Sequence, residues 1–264
     1  MTGSNKATRL VLLGAIFISA ILAGILPGCA KENTMVNFTK DGVVPDASIP
    51  PIDASVPAKT ETATFALGCF WGPDSRFGGL DGVIRTRVGY AGGTRQSPTY
   101  HSLGDHTETM QIVYDPTQIS YEQLLEIYWD SHNPAAQPWS RQYMSIVFYH
   151  NGDQQRLAMA TKQREEARLG RRVDAEIIPF SEFHLAEAYH QKYYLQQVPE
   201  LMKELVAIYP NSGDFIDSTA SARINGYLGG HGTFEALQEQ LSSFGLSSAG
   251  NERMLEIGRL LLSG

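Results

Sequence analysis

A cysteine between a β-prone run and a helix start constrains this chain more than any other feature. The run covers residues 62–67, and the pentapeptide Gly68-Cys69-Phe70-Trp71-Gly72 follows it directly. Pro73 favours the first turn of a helix, so Cys69 is expected at a strand-to-helix turn near a helix N-terminus. Unpaired N–H groups and the positive end of the helix dipole favour the thiolate there. The pattern therefore predicts an activated thiol in a fold that mixes strands and helices.

The residues around Cys69 also indicate what such a thiol attacks. Phe70 and Trp71 can form a pocket for an apolar, polarizable group such as a thioether methyl. The glycines on either side of the motif permit unusual backbone angles and close approach of a substrate. The alternative is a buried, inert cysteine, which is the usual fate of a lone thiol. The neighbouring aromatic residues Phe70 and Trp71 favour a nucleophilic cysteine beside a hydrophobic binding pocket.

Composition excludes several other functions. The 264 residues are 42% hydrophobic, which is ample for a core, and the net charge of −7 argues against broad nucleic-acid binding. The two cysteines form no CxxC pair. His101 and His106 have no thiolate cluster or helical histidine motif beside them, so surface histidines are favoured over a metal pair. We expect no metal and no bound cofactor.

Periodicity predicts strands alternating with helices, which is typical of a layered sheet-plus-helix domain. The strands are predicted at residues 62–67, 83–90, 107–114, 145–149 and 175–180. Helices are predicted from Cys69 and at residues 121–131, 153–169 and 186–196, with further helices after Pro199 at 234–243 and 251–262. Ser120 and Gln123 match a capping box, and Gly170 is placed to end the helix before it.

The N-terminus carries the pattern of an export signal. Lys6 and Arg9 precede the apolar run 10–25, and Leu26-Pro27-Gly28-Cys29 follows. This ending resembles a bacterial lipobox, which implies that Cys29 is lipidated and becomes the first mature residue. The alternative is an uncleaved membrane anchor, because the run approaches the length that spans a bilayer. Either outcome tethers the protein to a membrane.

The predicted organisation has four parts. A signal peptide covers residues 1–28, and a proline-containing tether without hydrophobic periodicity, expected to be disordered, covers 29–60. A catalytic domain follows at 61–198 and a helical C-terminal extension at 199–264. We therefore expect an extracytoplasmic protein that is lipid-anchored to a bacterial membrane. Ala30 after Cys29 favours the outer membrane, by resemblance to lipoproteins of two-membrane hosts.

The pentapeptide around Cys69 opens a series of motifs that spans roughly residues 60 to 198. The series continues with Gly82-Val83-Ile84, Val88-Gly89-Tyr90-Ala91-Gly92-Gly93, Pro98-Thr99-Tyr100, His106-Thr107-Glu108, Val113-Tyr114-Asp115-Pro116, Tyr121-Glu122-Gln123-Leu124-Leu125 and Ala186-Glu187-Ala188-Tyr189-His190-Gln191-Lys192-Tyr193-Tyr194-Leu195. In order and spacing the chain resembles the A-type peptide methionine sulfoxide reductases. This resemblance implies an α+β fold, a compact two-layer sandwich with a mixed β-sheet and flanking helices. The helical extension lies beyond the minimal family core.

The resemblance implies reduction of methionine S-sulfoxide, free or in oxidised proteins, by attack of Cys69 on the sulfoxide sulfur. The departing oxygen needs protons, and a carboxylic acid whose pKa is raised by burial can supply one. The resemblance assigns this role to Glu108, and it implies that the hydroxyls of Tyr100 and Tyr143 hold the sulfoxide oxygen or the reacting water. The alternatives are an ordinary exposed strand residue for Glu108 and core packing for the two tyrosines.

The resemblance makes Phe70 and Trp71 the seat of the substrate methyl group. One departure concerns residues 135–143, where many relatives have a longer loop with an acidic residue and this chain has no acid. The missing acid puts substrate orientation in doubt. Trp139 in this segment is either an additional apolar wall of the binding site or a core residue.

Attack by Cys69 leaves a sulfenic acid that must be reduced before the next turnover. Many relatives carry resolving cysteines near the C-terminus, and this chain has no cysteine after Cys69. We therefore predict an external thiol reductant, such as a thioredoxin-like domain outside the cytoplasm. If Cys29 escapes lipidation, its tether is long enough for Cys29 itself to resolve Cys69.

Two rival functions belong to other classes. One is a membrane-tethered module that binds methionine-like groups without turnover, and the other is a thiol peroxidase or peroxide sensor. Mere binding needs neither the thiolate of Cys69 nor the acid Glu108. The aromatic pair beside the thiol favours an apolar substrate over peroxide.

Overall fold

The computed structural model describes residues 49–262. Its central element is a mixed six-stranded sheet, against which several helices pack. Its strands are β1 (Glu61–Leu67), β2 (Val83–Ala91), β3 (Thr107–Tyr114), β4 (Ser145–Tyr149), β5 (Glu176–Pro179) and β6 (Phe183–Leu185). The order across the sheet is β5-β4-β1-β3-β2-β6. Only β4 and β5 run parallel among these strands. The predicted α+β fold with a mixed sheet is confirmed.

Ten α-helices are present in the described part of the chain. They are α1 (Pro51–Ala54), α2 (Trp71–Gly78), α3 (Tyr121–Asp130), α4 (Gly152–Leu169), α5 (Tyr193–Gln196), α6 (Pro199–Ile208), α7 (Ser212–Asp217), α8 (Thr219–Leu228), α9 (Phe234–Gln240) and α10 (Ser248–Leu261). The predicted capping box opens α3, since Ser120 and Gln123 exchange side-chain and backbone hydrogen bonds. Gly170, at φ 65°, ends α4 in the left-handed conformation as predicted.

Both faces of the sheet are covered, and β1 shows how the sequence achieves this. Ala63, Phe65 and Leu67 alternate along the strand and enter one core cluster together with residues of α2, α3 and α4. Ala66 points to the other side and joins a smaller cluster with Ile146. This two-residue period is that of a strand buried on both faces.

The C-terminal extension is helical, as predicted, and it builds a second apolar core. Leu201, Leu205, Phe215, Ile224 and other residues of α6–α10 form this core. Every residue of α8 is buried. α8 is therefore enclosed by other elements on all sides.

The helix predicted at residues 186–196 is wrong. This segment follows β6, makes one 3₁₀ turn at Ala188–His190, and becomes helical only in α5. The Gln191 side chain donates to Val88 O (2.8 Å) and accepts from Val88 N (3.1 Å), so it completes the hydrogen bonding of β2 next to β6. Lys192 takes a left-handed conformation at φ 52°. These side-chain bonds to the sheet and the turn at Lys192 prevent a continuous helix.

The signal peptide predicted at 1–28, Cys29 and the tether up to residue 48 lie outside the described residues. The last part of the predicted tether, residues 49–60, contains α1 and is bound to the extension. Asp53 in α1 accepts hydrogen bonds from Thr219 N (2.6 Å), Ala220 N (3.1 Å) and the Tyr209 hydroxyl. It thereby caps the N-terminus of α8, which explains why this end is not an extended tether. None of the helices within 49–262 has the length and apolarity needed to cross a membrane.

Candidate active site

The predicted site residues converge because of the antiparallel pairing in the sheet. The end of β1 lies beside the starts of β3 and β4, since Phe65 pairs with Met110 and Leu67 with Ser145. The end of β2 reaches the same edge, where Tyr90 pairs with Glu108. The turn after β1, the first residues of β3 and the segment before β4 thus meet at one end of the sheet.

Cys69 occupies the turn between β1 and α2 and is half-buried. Gly68 before it has φ +95°, a conformation that strains residues with a side chain. The helix begins at Trp71, two residues later than predicted, and Phe70 is its N-cap residue. Cys69 therefore lies just ahead of the helix N-terminus, as the strand–turn–helix pattern indicated.

Glu108 is fully buried at the start of β3, so the exposed-strand alternative is wrong. Its Oε2 accepts a hydrogen bond of 3.1 Å from Phe70 N, the amide next to Cys69. Its Oε1 accepts one of 2.8 Å from Gln142 Nε2, the residue before Tyr143. The carboxyl group therefore joins the cysteine turn to the segment that carries the second predicted tyrosine.

Phe70 and Trp71 form an aromatic wall next to the thiol. Phe70 is only 1% exposed and its ring centroid lies 5.1 Å from that of His190. Trp71 is half-buried, stacks on Tyr193 at 3.7 Å with an angle of 7° between the rings, and donates from Nε1 to His190 Nδ1 (3.3 Å). Both aromatic residues of the motif are thus held by the Tyr189–Tyr194 segment.

Tyr194 interacts electrostatically with Cys69. Burial raises the pKa of the Tyr194 hydroxyl, and the Cys69 thiol, when ionised, raises it further. Because α5 begins at Tyr193, the position of this short helix sets the positions of both the Tyr193 and the Tyr194 rings.

Glu187 connects two tyrosines of the site, and the sequence argument missed its role. Its Oε2 accepts from the Tyr90 hydroxyl (2.7 Å) and its Oε1 from Tyr100 N (3.0 Å). Burial raises the pKa of Glu187, but these hydrogen bonds outweigh burial and the net pKa is lowered. Burial and the bond to Glu187 raise the pKa of Tyr90 far above its ordinary value. Glu187 therefore carries the negative charge and Tyr90 keeps its proton.

His190 is buried and neutral. Burial lowers its pKa to about 4, although the nearby Glu187 carboxylate acts in the opposite direction. Trp71 donates to Nδ1, so the proton of the neutral ring is on Nε2. Gln142, Tyr90, Glu187, His190 and Tyr193 are the functional candidates that sequence reasoning missed. For Glu187, His190 and Tyr193 the available signal was the polar and aromatic density of the 186–195 motif. Tyr90 lies in the 88–93 motif, and no sequence signal singled out Gln142.

Tyr100, Tyr143 and Trp139 lie on segments that border this end of the sheet. The Tyr100 ring is 4.7 Å from His190, and the half-buried Tyr143 ring is 5.0 Å from Trp139. Trp139 is 79% exposed, so its interpretation as a core residue is wrong. Both predicted tyrosines border the site. Tyr100 also packs, partly buried, against the small apolar cluster that contains Phe70 and Tyr90.

His106 corrects another expectation, because it is buried and not a surface residue. Its Nδ1 accepts from Gly93 N (3.2 Å) and its Nε2 is 2.9 Å from Arg95 O. Both ring nitrogens thus hold the loop between β2 and β3. Across residues 49–262, no three His, Cys, Asp or Glu residues are arranged to hold a metal ion.

Comparison with known proteins decides the family. The sequence model described as "Peptide methionine sulfoxide reductase" matches residues 61–223. The chain belongs to this family. The reductase is an A-type enzyme that converts methionine S-sulfoxide to methionine and thereby repairs oxidised proteins. Membership excludes the binding module without turnover and the thiol peroxidase as its primary function.

Relatives with similar sequences come from distant organisms. The reductase is 42% identical over 188 residues to a peptide methionine sulfoxide reductase of Drosophila melanogaster, covering 70% of this chain and 75% of the relative. It is 42% identical over 180 residues to peptide methionine sulfoxide reductase A5 of Oryza sativa, covering 66% and 70%. The solved structure of methionine sulfoxide reductase A of Corynebacterium diphtheriae is 28% identical, with a TM-score of 0.49, and covers 66% of this chain and 92% of that chain.

Proposed function

We propose that Cys69 is the nucleophile of the reductase and that Glu108 is its proton donor. The observation that carries this proposal is the hydrogen bond from Phe70 N to the buried Glu108 carboxyl group. It holds the acid beside the residue that follows the thiol. A general acid must reach the atom that it protonates, and this contact places Glu108 on the cysteine turn.

In the first step the Cys69 thiolate attacks the sulfoxide sulfur while the sulfoxide oxygen accepts a proton from Glu108. The oxygen then passes from the methionine sulfur to Cys69. Methionine leaves in its thioether form, reduced by two electrons, and Cys69 becomes a sulfenic acid, oxidised by two electrons. Glu108 regains its proton from solvent before the next turnover.

Phe70 and Trp71 seat the methyl group, and the hydroxyl groups of Tyr100 and Tyr143 hold the sulfoxide oxygen. The stack on Tyr193 and the bond to His190 keep Trp71 in one orientation. Trp139, beside Tyr143, adds an apolar wall at the rim of the site. A chiral sulfur fixed by its methyl, its oxygen and its side chain can be selected by handedness.

An external thiol recycles the enzyme. Cys69 is the one cysteine in the described part of the chain, and Cys29 is the only other in the sequence. One thiol of a thioredoxin-like protein attacks the sulfenic sulfur of Cys69 and releases water. A second thiol of the same partner then breaks the mixed disulfide, leaving Cys69 reduced and the partner oxidised.

The enzyme acts outside the cytoplasm from a lipid anchor on Cys29. The support is the Leu26-Pro27-Gly28-Cys29 ending after the apolar run. Mass spectrometry of the N-terminal peptide is expected to show a diacylglycerol adduct on Cys29. Loss of this adduct in the Cys29→Ser variant agrees with the anchor, and an unmodified Cys29 on the mature protein contradicts it.

The catalytic proposal is tested by a single turnover without added reductant. The detergent-solubilised full chain is mixed with the purified S or R epimer of methionine sulfoxide, and released methionine is counted per Cys69. The expected result is about one equivalent from the S epimer only, and none from Cys69→Ser. Methionine release by Cys69→Ser, or oxidation of Cys69 by peroxide but not by the sulfoxide, would contradict the assignment.

A further inference from the structure

A buried polar network joins the C-terminal extension to the two elements that hold the aromatic wall. Its centre is Asp74 in the first turn of α2, which is fully buried. Asp74 accepts hydrogen bonds from the Thr86 hydroxyl (2.5 Å), Lys192 N (3.1 Å), Lys192 Nζ (3.3 Å) and Asn225 Nδ2 (3.2 Å). A buried carboxylate is tolerated only when donors surround it in this way.

Lys192 pairs with Asp74 inside the protein, with 3.3 Å between Nζ and Oδ1. It is fully buried, and its ammonium group also donates to Thr86 O (2.6 Å). Lys192 directly precedes α5, which carries Tyr193 and Tyr194. The ion pair therefore ties the first turn of α2 to the start of the segment that stacks on Trp71.

Asn225 is the one member of this network that the extension supplies, and it makes two contacts. Its Nδ2 reaches Asp74 in α2, and its Oδ1 accepts from Leu195 N in α5 at 3.1 Å. Because α5 has only four residues, Leu195 N has no acceptor within its own helix. One amide side chain thus fixes α5 relative to α2.

The backbone of α8 is fitted to this bridge. Gly226, next to Asn225, lies so close to Gly79 that an added Cβ would be 2.4 Å from the Gly79 Cα. An added Cβ on Gly229 would similarly be 2.4 Å from Ser75 Oγ. Gly226 in α8 and Gly229 directly after it let α8 lie close enough to α2 for Asn225 to reach Asp74.

We propose that Asn225 is a positioning residue of the reductase, which holds the Trp71–Tyr193 stack beside Cys69 by joining Asp74 to Leu195. This inference rests on the proposed function and adds to it that the C-terminal extension takes part in shaping the substrate site. Asn225 does not touch the substrate. It acts through α5, and its loss lets the aromatic wall move relative to the thiol.

The test is steady-state and pre-steady-state kinetics on the full chain with a peptide that contains methionine S-sulfoxide. For Asn225→Ala we expect KM to rise at least fivefold, with a smaller fall in kcat. Alkylation of Cys69 by iodoacetamide needs no aromatic seat and is expected to stay within twofold of the wild-type rate. Ser221→Ala is the matched control, since Ser221 is buried in α8 and its side chain bonds only to Ser218. It is expected to retain the wild-type KM.

Asn225→Asp gives a second readout. The introduced carboxyl group can donate to Asp74 only when it is protonated, and when ionised it repels Asp74. The ratio of variant to wild-type kcat/KM is therefore expected to rise as pH falls, at temperatures where circular dichroism shows both proteins folded. A merely structural role predicts a flat ratio among folded proteins.

Several outcomes overturn the inference. Asn225→Ala with a wild-type KM would do so while leaving the proposed function intact, and so would an equal rise of KM in Ser221→Ala. Failure of both Asn225 variants to fold at every pH would assign Asn225 a structural role instead. A wild-type chain that releases no methionine would overturn the proposed function together with this inference.

Discussion

The Glu108 carboxyl group accepts a hydrogen bond from the backbone N–H of Phe70, the residue that follows Cys69. This contact crosses from β3 to the turn after β1. It makes the position of the acid depend on the same turn that presents the thiol. Substitutions at Glu108 can therefore separate proton donation from placement of the turn.

Glu108→Gln keeps an oxygen that can accept from Phe70 N but cannot donate a carboxylic proton. We expect the single-turnover rate of methionine formation to fall about 100-fold or more, which is the usual contribution of a general acid. The protein should remain folded because the side chain keeps its size. Rapid-quench measurement of methionine checks this, and a rate within threefold of wild type would remove Glu108 from the acid role.

Trp139→Ala tests the exposed indole beside Tyr143. Because Trp139 is 79% exposed, we expect the free energy of unfolding to change by less than about 0.5 kcal/mol. We expect kcat/KM for a methionine S-sulfoxide peptide to fall several-fold, and less for the free amino acid, which has no flanking residues to contact the indole. Equal losses of kcat/KM for both substrates would show that Trp139 contacts only the methionine sulfoxide residue and not its flanking residues.

The turn at Cys69 and the start of α3 could be predicted because their signals are local. Each signal acts within a few residues: the β-prone run before Gly68, Pro73 in the first turn of α2, and the capping box at Ser120. The bond between Asn225 and Asp74 could not be predicted, because it joins positions 151 residues apart and no periodic pattern announces it.

The error at residues 186–196 has a related cause. The sequence pattern there favours a helix, but tertiary contacts override it, because the Gln191 side chain binds the backbone of Val88 on β2. The burial of Glu108, by contrast, agreed with a role that only the family motif had suggested. Local pattern was thus enough to propose Cys69 as the nucleophile, while the long-range partners around it required the structure.

His190 makes stability depend on pH. Its pKa is lowered from 6.5 to about 4 in the folded protein, mainly by burial, so below pH 6.5 the unfolded chain binds a proton that the folded protein does not. The resulting stabilisation of the unfolded chain reaches about 2 kcal/mol at pH 5. Stability is thus lost as pH falls from 6.5 towards 4. Urea unfolding at pH 7 and pH 5 measures this loss.

His190→Gln is the comparison for that measurement, because glutamine retains an acceptor for Trp71 and does not titrate. Between pH 7 and pH 5 the free energy of unfolding should fall by about 2 kcal/mol less in the variant than in the wild-type protein. Equal losses in the two proteins would assign the pH dependence to other groups.

Gly226→Ala tests the fit between α8 and α2. The new methyl group would lie 2.4 Å from the Cα of Gly79, which is backbone and cannot rotate away. We expect a loss of about 1–3 kcal/mol in unfolding free energy, as overpacking usually costs. Gly152→Ala is the control, since nothing lies within 4 Å of its added Cβ at the start of α4. That variant should be neutral or slightly stabilised, because alanine has less conformational entropy to lose than glycine on folding. Equal effects of the two substitutions in urea unfolding would show that α8 can shift away from α2 at little cost.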